Sequence, residues 1–379
     1  MHQVTHAGTG DGAAKWETRG ALSSAVPPPP VSMSCSSRQT AWTYWHAPTL
    51  PAFEAACVQT ARVYNPDWHI VVLDAPKALA LVGAHMLPPG FLSMKEARHQ
   101  SDIVRIAVLA MCGGTWFDSS TIFMQPQTLT TLYDEMARSQ SQMVAYHDSS
   151  NSSFVPNWFV MAAAGAPLVR QWHAVMLAYF ATRLSTDWFI MRHPLFDRIP
   201  PDKAAELWRL GHPAYLFGSL AFLAVQEFSE WRNGRWQQQV LLKVPTVPTD
   251  PCTNRTMGFG SILYRGSCPD YWNASSIPSH VRRSDAGVSC IRNSLYAAPN
   301  RPGHMDLGPI RVRAVSSSML FLKLNHFDKP AYLPAYDNFS LSAVPNGSLL
   351  GQLLRGDHSD GGGMRAEALR GRAPIRCST

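Results

Sequence analysis

Between residues 40 and 74 the sequence changes its period twice. "TAWTYW" (40–45) reads as a strand, "PAFEAACVQTARVY" (51–64) as an amphipathic helix, and "HIVVLD" (69–74) as a buried strand ending in a carboxylate. Consecutive strands joined through a helix lie parallel, so this β-α-β start implies a parallel sheet with helices on its faces. "MVAYHD" and "NWFVMAAA" supply further strands, and "APLVRQWHAVMLAYFATRL" (166–184) is a strong amphipathic helix. From 185 to 300 the pattern weakens into short helices and Pro-rich loops.

One stretch breaks the apolar pattern. "SDIVRIAVLAMCGGTWFDSSTIF" (101–123) carries Asp102, Arg105 and Asp118 inside what otherwise reads as buried helix, turn, strand, short break and strand. The helix, about residues 94 to 111, places Ile103, Ile106, Ala107 and Ala110 on a core stripe, and Gly113-Gly114 ends it with a sharp turn. Charges in such surroundings cost several kcal/mol unless they are paired or used. Asp102 and Arg105, three apart, share one helix face and reach each other. On spacing alone they read as an ordinary surface salt bridge, and Asp118 alone as the cap of a turn. Taken together, with Asp118 at a strand's carboxyl end where open α/β sheets form ligand crevices, they read as a site.

Composition limits the alternatives. With 379 residues, 46% of them hydrophobic, the chain buries a sizeable core. The net charge of +7 suits an anionic ligand, but the basic residues are spread rather than clustered, which argues against nucleic acid as partner. No apolar run reaches the length of a transmembrane segment; the longest candidate is "WFVMAAAGAPLV". No G-x-G-x-x-G joins the first strand to its helix, which disfavours a dehydrogenase, and "GTGDG" near the start lies in a Gly-, Ser-, Ala- and Pro-rich stretch. Residues 1–37 read as a disordered leader without the pattern of a signal peptide, 38–330 as the folded domain, and 331–379 as a mostly disordered extension.

Compartment is read two ways. The absence of a signal or anchor in this sequence points to the cytoplasm, whereas five sequons, at Asn151, Asn254, Asn273, Asn338 and Asn346, point to the Golgi or another secretory lumen. Cys57 and Cys112 read as core, Cys35 and Cys377 as tail residues, and two of Cys252, Cys268 and Cys290 as disulfide candidates; the lack of any CxxC argues against zinc.

The 101–123 stretch resembles the sugar-nucleotide signature of the capsular polysaccharide synthesis proteins and the related family 32 glycosyltransferases. That pattern runs SD, two hydrophobic residues, R, an apolar helix, then GG-x-[WY]-x-D-x-[DTS]. "TAWTYWHAP", "NPDWHIVVLD", "VPNWFVMAAAGAPLVRQWHAVMLAYF", "DWFIMRHPLF" and "FLKLNHF" follow in the family's order, so the resemblance covers roughly residues 38 to 328. It implies a GT-A-type nucleotide-sugar transferase fold with a mostly parallel central sheet, its donor-binding half at 38–165 and its acceptor-side half at 166–330. The implied activity is hexosyl transfer from a nucleotide-sugar donor to a glycan or polysaccharide acceptor, with retention of anomeric configuration. A catalytically silent sugar-binding homologue is the alternative.

By that resemblance Asp102, Arg105 and Asp118 are the catalytic and donor-gripping residues, Trp45 stacks on the base or is simply a core tryptophan, and Ser120 completes the donor site. A divalent cation, Mn2+ or Mg2+, is implied on the diphosphate through Asp118 and His326. Many relatives carry Asp-Xaa-Asp, however, and Ser120 stands where the second carboxylate would be, which weakens that expectation. His193, Lys323 and His326 are expected on the diphosphate or acceptor side, with Lys323 or Lys329 sharing the leaving-group charge.

Overall fold

Along the central strands of this computed structural model, successive side chains enter two different apolar layers. The structure describes residue 35, residues 39–146, 154–183, 185–187, 189–210 and 212–243, and the backbone of 321–323. The main sheet comprises β1 (Thr40–Tyr44), β2 (His69–Leu73), β3 (Gly114–Phe117), β5 (Met143–Tyr146), β6 (Phe159–Ala162) and β7 (Val240–Lys243), in the order β2-β1-β3-β6-β5-β7. β1 pairs parallel with β2 and β3, and β5 parallel with β7; β6 alone runs against its neighbours β3 and β5. The sheet is thus mostly parallel. A separate antiparallel ladder joins β4 (Thr121–Phe123) to β8 (Phe321–Lys323).

The helices α1 (Ala52–Tyr64), α2 (Ala75–Val82), α3 (Ala97–Cys112), α4 (Thr128–Arg138), α5 (Pro167–Phe180), α6 (Pro201–Leu210) and α7 (Phe217–Gln226) cover both faces. Trp42, Trp116, Met143, Val160 and Ala162 point into a layer shared with α2, α3, α5 and α7. Their neighbours Ala41, Phe117, Val144, Phe159 and Met161 point into a second layer with α1 and α4. This period of two is what a strand buried on both faces requires, and it explains why these strands read as nearly continuous apolar runs. α3 lies deepest: every residue from Asp102 to Ala110 is buried, wider than the stripe its spacing suggests.

Two glycines form the corner from α3 into β3. Gly113 and Gly114 have φ of 65° and 88°, which favours glycine, and there is no room for a side chain at either. A Cβ on Gly113 would lie 2.5 Å from Ala164 N, and one on Gly114 2.3 Å from Thr40 O. Trp42 Nε1 donates to Gly113 O at 3.0 Å, tying this corner to β1. Cys112, expected as a core thiol, instead forms a disulfide with Cys35, which fastens the segment before β1 to the end of α3; Cys57 is a buried free thiol. Residues 1–34, the three cysteines at 252, 268 and 290, and all five sequons lie outside the described residues.

Candidate active site

Asp118 is the first residue beyond the carboxyl end of β3, and its place is fixed by the backbone: its N–H donates to Trp158 O at 2.9 Å, and its carbonyl accepts from Thr121 N at 2.9 Å. Asp102 and Arg105 come from the first half of α3. Arg105 stands between the two carboxylates, donating through Nη1 to Asp102 Oδ1 at 2.7 Å and through Nη2 to Asp118 Oδ1 at 2.8 Å. The Asp102–Arg105 pair is therefore a buried ion pair rather than a surface salt bridge, with side-chain exposures of 11% and 4%; Asp118 is the most open of the three at 22%. Each charge in the apolar stretch is compensated by another.

The motif's aromatic also has a role in this arrangement. Trp116 lies under Arg105, the guanidinium carbon 5.1 Å from the ring centroid, and its Nε1 donates to Asp118 Oδ1 at 3.3 Å. Asn157 adds a bond from Nδ2 to Asp102 Oδ1 at 2.9 Å. Burial pushes the Asp102 carboxyl above its ordinary range, with Asp118 in the same direction, while Arg105, His99 and Asn157 pull it back. Arg105 Nε has no hydrogen-bond partner among the described residues.

Three neighbours escaped the sequence reading. Asn157 opens the stretch read as the strand "NWFVMAAA" and shows no sign there of a role in a site, Gly218 near the start of α7 looks like a helix glycine, and Tyr215 like a loop aromatic. Gly218 packs against Asn157 and Asp102, and its carbonyl accepts from Trp172 Nε1 at 2.8 Å. Tyr215 is 42% exposed, with the Arg98 guanidinium 5.6 Å from its ring centroid. Nothing in their local spacing distinguishes these residues from structural ones.

The other expected residues are distributed as follows. Trp45, half-buried, follows the carboxyl end of β1, the edge that Asp118 occupies on the adjacent β3. Ser120 is fully buried in the turn before β4. His193 is bound up locally: Nδ1 accepts from Leu195 N at 3.3 Å, Nε2 is 3.3 Å from Thr182 Oγ1, and the ring packs on Tyr179. β8 brings Lys323 opposite Thr121 and runs antiparallel to β4, so the strand heads towards the Asp118 end. His326 and Lys329 lie outside the described residues.

A divalent cation held by the protein finds few ligands here. Among the described residues no three His, Cys, Asp or Glu side chains gather in one place, and Asp118 Oδ1 already accepts from Arg105 and Trp116. With Ser120 buried, the described residues do not by themselves fit a protein-held cation, and no step is derived through one.

The profile of the capsular polysaccharide synthesis proteins matches residues 32–229, more than half of the 379-residue chain. The chain belongs to the capsular polysaccharide synthesis protein family. Within this family match lie Asp102, Arg105, Asp118, Asn157, Tyr215 and Gly218. The chain is 27% identical over 182 residues to the O-glycosyltransferase PaGT of Phomopsis amygdali, 44% of each chain being covered. It is 22% identical to the O-glycosyltransferase braB of Annulohypoxylon truncatum, over 44% of this chain and 43% of that one. It is also 22% identical to the glycosyltransferase afumC of Aspergillus fumigatus, over 51% and 53% respectively. The chain thus spans about half the length of the curated relatives it matches. Among solved structures it aligns with the PaToxG glycosyltransferase at 13% identity and a TM-score of 0.31, covering 53% of this chain and 86% of that one.

Proposed function

We propose that this member of the capsular polysaccharide synthesis family is a glycosyltransferase with a GT-A-type fold, moving a sugar from a nucleotide-sugar to a hydroxyl of a glycan or polysaccharide acceptor. The observation that carries the reading is the Asp102–Arg105–Asp118 chain at the carboxyl end of β3. Carboxylates accept hydrogen bonds from sugar and ribose hydroxyls, and the clamp from Arg105 holds both in one geometry before a ligand arrives. Asp118, the most open of the three, meets the donor directly, while Arg105 orients it. Trp45, on the same sheet edge, covers the base. Two relatives are named as O-glycosyltransferases, which supports a hydroxyl acceptor.

Departure of the nucleoside diphosphate builds negative charge that must be stabilised. Lys323, delivered to β4 by β8, and His326 beyond it are assigned to that charge; the antiparallel direction of β8 supports this. Retention of anomeric configuration and hexosyl transfer follow from the resemblance to family 32. The Cys35–Cys112 disulfide favours maturation in an oxidising lumen.

A screen of UDP-, GDP- and CMP-sugars, following released nucleotide together with thermal shift, tests the proposal. Release from one donor, lost in Asp118→Asn, supports it. Stabilisation without release in the presence of candidate acceptors favours the catalytically silent homologue, and no response to any donor reduces the cluster to a structural ion network.

A further inference from the structure

One short segment just before β6 reaches both carboxylates of the cluster. Its Val155 O accepts from Ser219 Oγ of α7 at 2.9 Å, and its Trp158 O accepts from Asp118 N at 2.9 Å. Between these two backbone anchors Asn157 extends its side chain to α3, where Nδ2 donates to Asp102 Oδ1 at 2.9 Å. The bond spans 55 residues of sequence, so it caps nothing local. A carboxylate only accepts hydrogen bonds, so the amide has to turn its nitrogen towards Asp102.

Two donors thus converge on one oxygen. Arg105 Nη1 and Asn157 Nδ2 both end on Asp102 Oδ1, and among the described residues no hydrogen bond goes to Oδ2. Arg105 is shared with Asp118 and belongs to the same helix as Asp102, whereas Asn157 comes from a separate element whose backbone is tied on either side. Held from both elements, the carboxyl group cannot turn about its Cβ–Cγ bond, and the lone pairs of Oδ2 keep one direction. Gly218 of α7 leaves the room that the Asn157 amide occupies.

We infer that Asn157 is a positioning residue of the donor site: it fixes Asp102 Oδ1 so that Oδ2 is the oxygen that accepts from a hydroxyl of the nucleotide-sugar. This rests on the reading of the cluster as the donor grip. Asn157 itself touches Asp102 and not the donor, so it acts on turnover through the aim and the charge of that carboxylate.

The test follows kcat/KM of the full chain, per folded molecule, from pH 8 to pH 5.5 with the donor that the nucleotide-sugar screen selects. Asn157→Leu keeps the approximate shape and removes the donor; it is expected to lower kcat/KM by about 10- to 100-fold, the worth of one hydrogen bond to a charged group. Asn157→Asp sets a second carboxyl against Asp102. At pH 8 the two repel and activity is expected to be at least as low as in Asn157→Leu. Towards pH 5.5 the pair holds one proton, which resides on residue 157 because Asp102 keeps its bond to Arg105, and that O–H replaces the amide donor. The ratio of Asn157→Asp to wild type is therefore expected to rise about tenfold or more as pH falls, a recovery that loss of packing alone does not produce.

Taking the ratio at each pH cancels titrations common to both proteins. Around Asp102, Arg105 stays charged, His99 one turn earlier on α3 is held below the ordinary imidazole range by burial, and Asp118 keeps its own bond to Arg105. Tyr215, pushed up to about 12 chiefly by burial, does not titrate in this range, and Gly218 and Ser219 of α7 carry no charge.

A ratio that stays flat from pH 8 to pH 5.5, or full kcat/KM in Asn157→Leu, overturns the inference. Should Asn157→Leu fail to fold, Gly218→Ala displaces the same amide from α7, and unchanged turnover in that variant overturns it equally. If the wild-type chain turns over no donor, the donor reading fails and this inference falls with it; if the wild type is active and the Asn157 variants match it at every pH, only this inference fails.

Discussion

Gly218 stands so close to Asn157 that a Cβ at position 218 would lie 2.1 Å from Asn157 Nδ2 and 3.6 Å from Asp102 Oδ1. The glycine is the space in which the Asn157–Asp102 bond exists. In Gly218→Ala the Asn157 amide has to swing away, and Asp102 loses a donor while remaining buried. The expected result is a stability loss of about 1 kcal/mol with a fall in turnover of roughly tenfold or more. Thermal melts alongside donor turnover check this, and a parallel loss of both in proportion to unfolding would show a packing effect alone.

Asp118 and Arg105 separate function from stability. Asp118→Asn keeps the shape and leaves Arg105 bonded to Asp102, so turnover is expected to vanish with little change in Tm. Arg105→Met leaves two carboxylates facing each other without their cation, and an expected loss of about 3–5 kcal/mol. In that variant the Asp102 carboxyl rises further above its unfolded range. A carboxyl raised on folding costs stability when ionised, so the deficit is expected to shrink as pH falls from 7 towards 4, as urea titrations at several pH values will show.

His173 governs part of the acid sensitivity. It is buried, its Nε2 lies 2.8 Å from Met86 O, and its ring is pushed down to about 4, chiefly by burial. Between pH 6.5 and 4 the unfolded chain takes up this proton while the folded chain does not. Stability therefore falls with pH across that window, by about 3 kcal/mol at most from this group. His173→Gln, which keeps a donor for Met86 O, is expected to flatten that part of the pH–stability curve.

Reduction of Cys35–Cys112 releases a closure of 77 residues in sequence. A stability loss of about 2–4 kcal/mol is expected, measured as the urea midpoint with and without reductant. Cys35→Ser is expected to reproduce it and to make the protein insensitive to reductant at this site.

Turnover is expected to persist in excess chelator, because Asp118 lacks acidic neighbours able to complete a coordination sphere among the described residues. Full loss in chelator, restored by manganese, would instead give the diphosphate charge to a bound cation.

The β-α-β start, α3, the glycine corner, β3 and α5 were legible because each is a run of strong periodicity bounded by Gly or Pro. The Asp102–Arg105–Asp118 cluster was legible because its members sit in one unbroken motif. α2, α4 and β7 were not foreseen, and α7 is apolar on every side, so it shows no amphipathic period. Asn157, Tyr215 and Gly218 come from segments 40 to 120 residues away in sequence from α3, brought in by β6, the turn before α7, and α7 itself. No local spacing records such long-range placement. The disulfide was missed for the same reason: Cys112 sits in an apolar helix, and only the tertiary fold brings Cys35 beside it.

The ladder between β4 and β8 joins Thr121 to Lys323 across about 200 residues of sequence. On a ribosome adding roughly 5–20 residues per second, β4 therefore waits on the order of 10–40 s for its partner strand after it has itself emerged. Throughout that interval the edge just beyond Asp118 offers unpaired backbone groups to any other strand. The newborn chain is thus most open to aggregation, and most in need of chaperone cover, at the very margin of the proposed donor site.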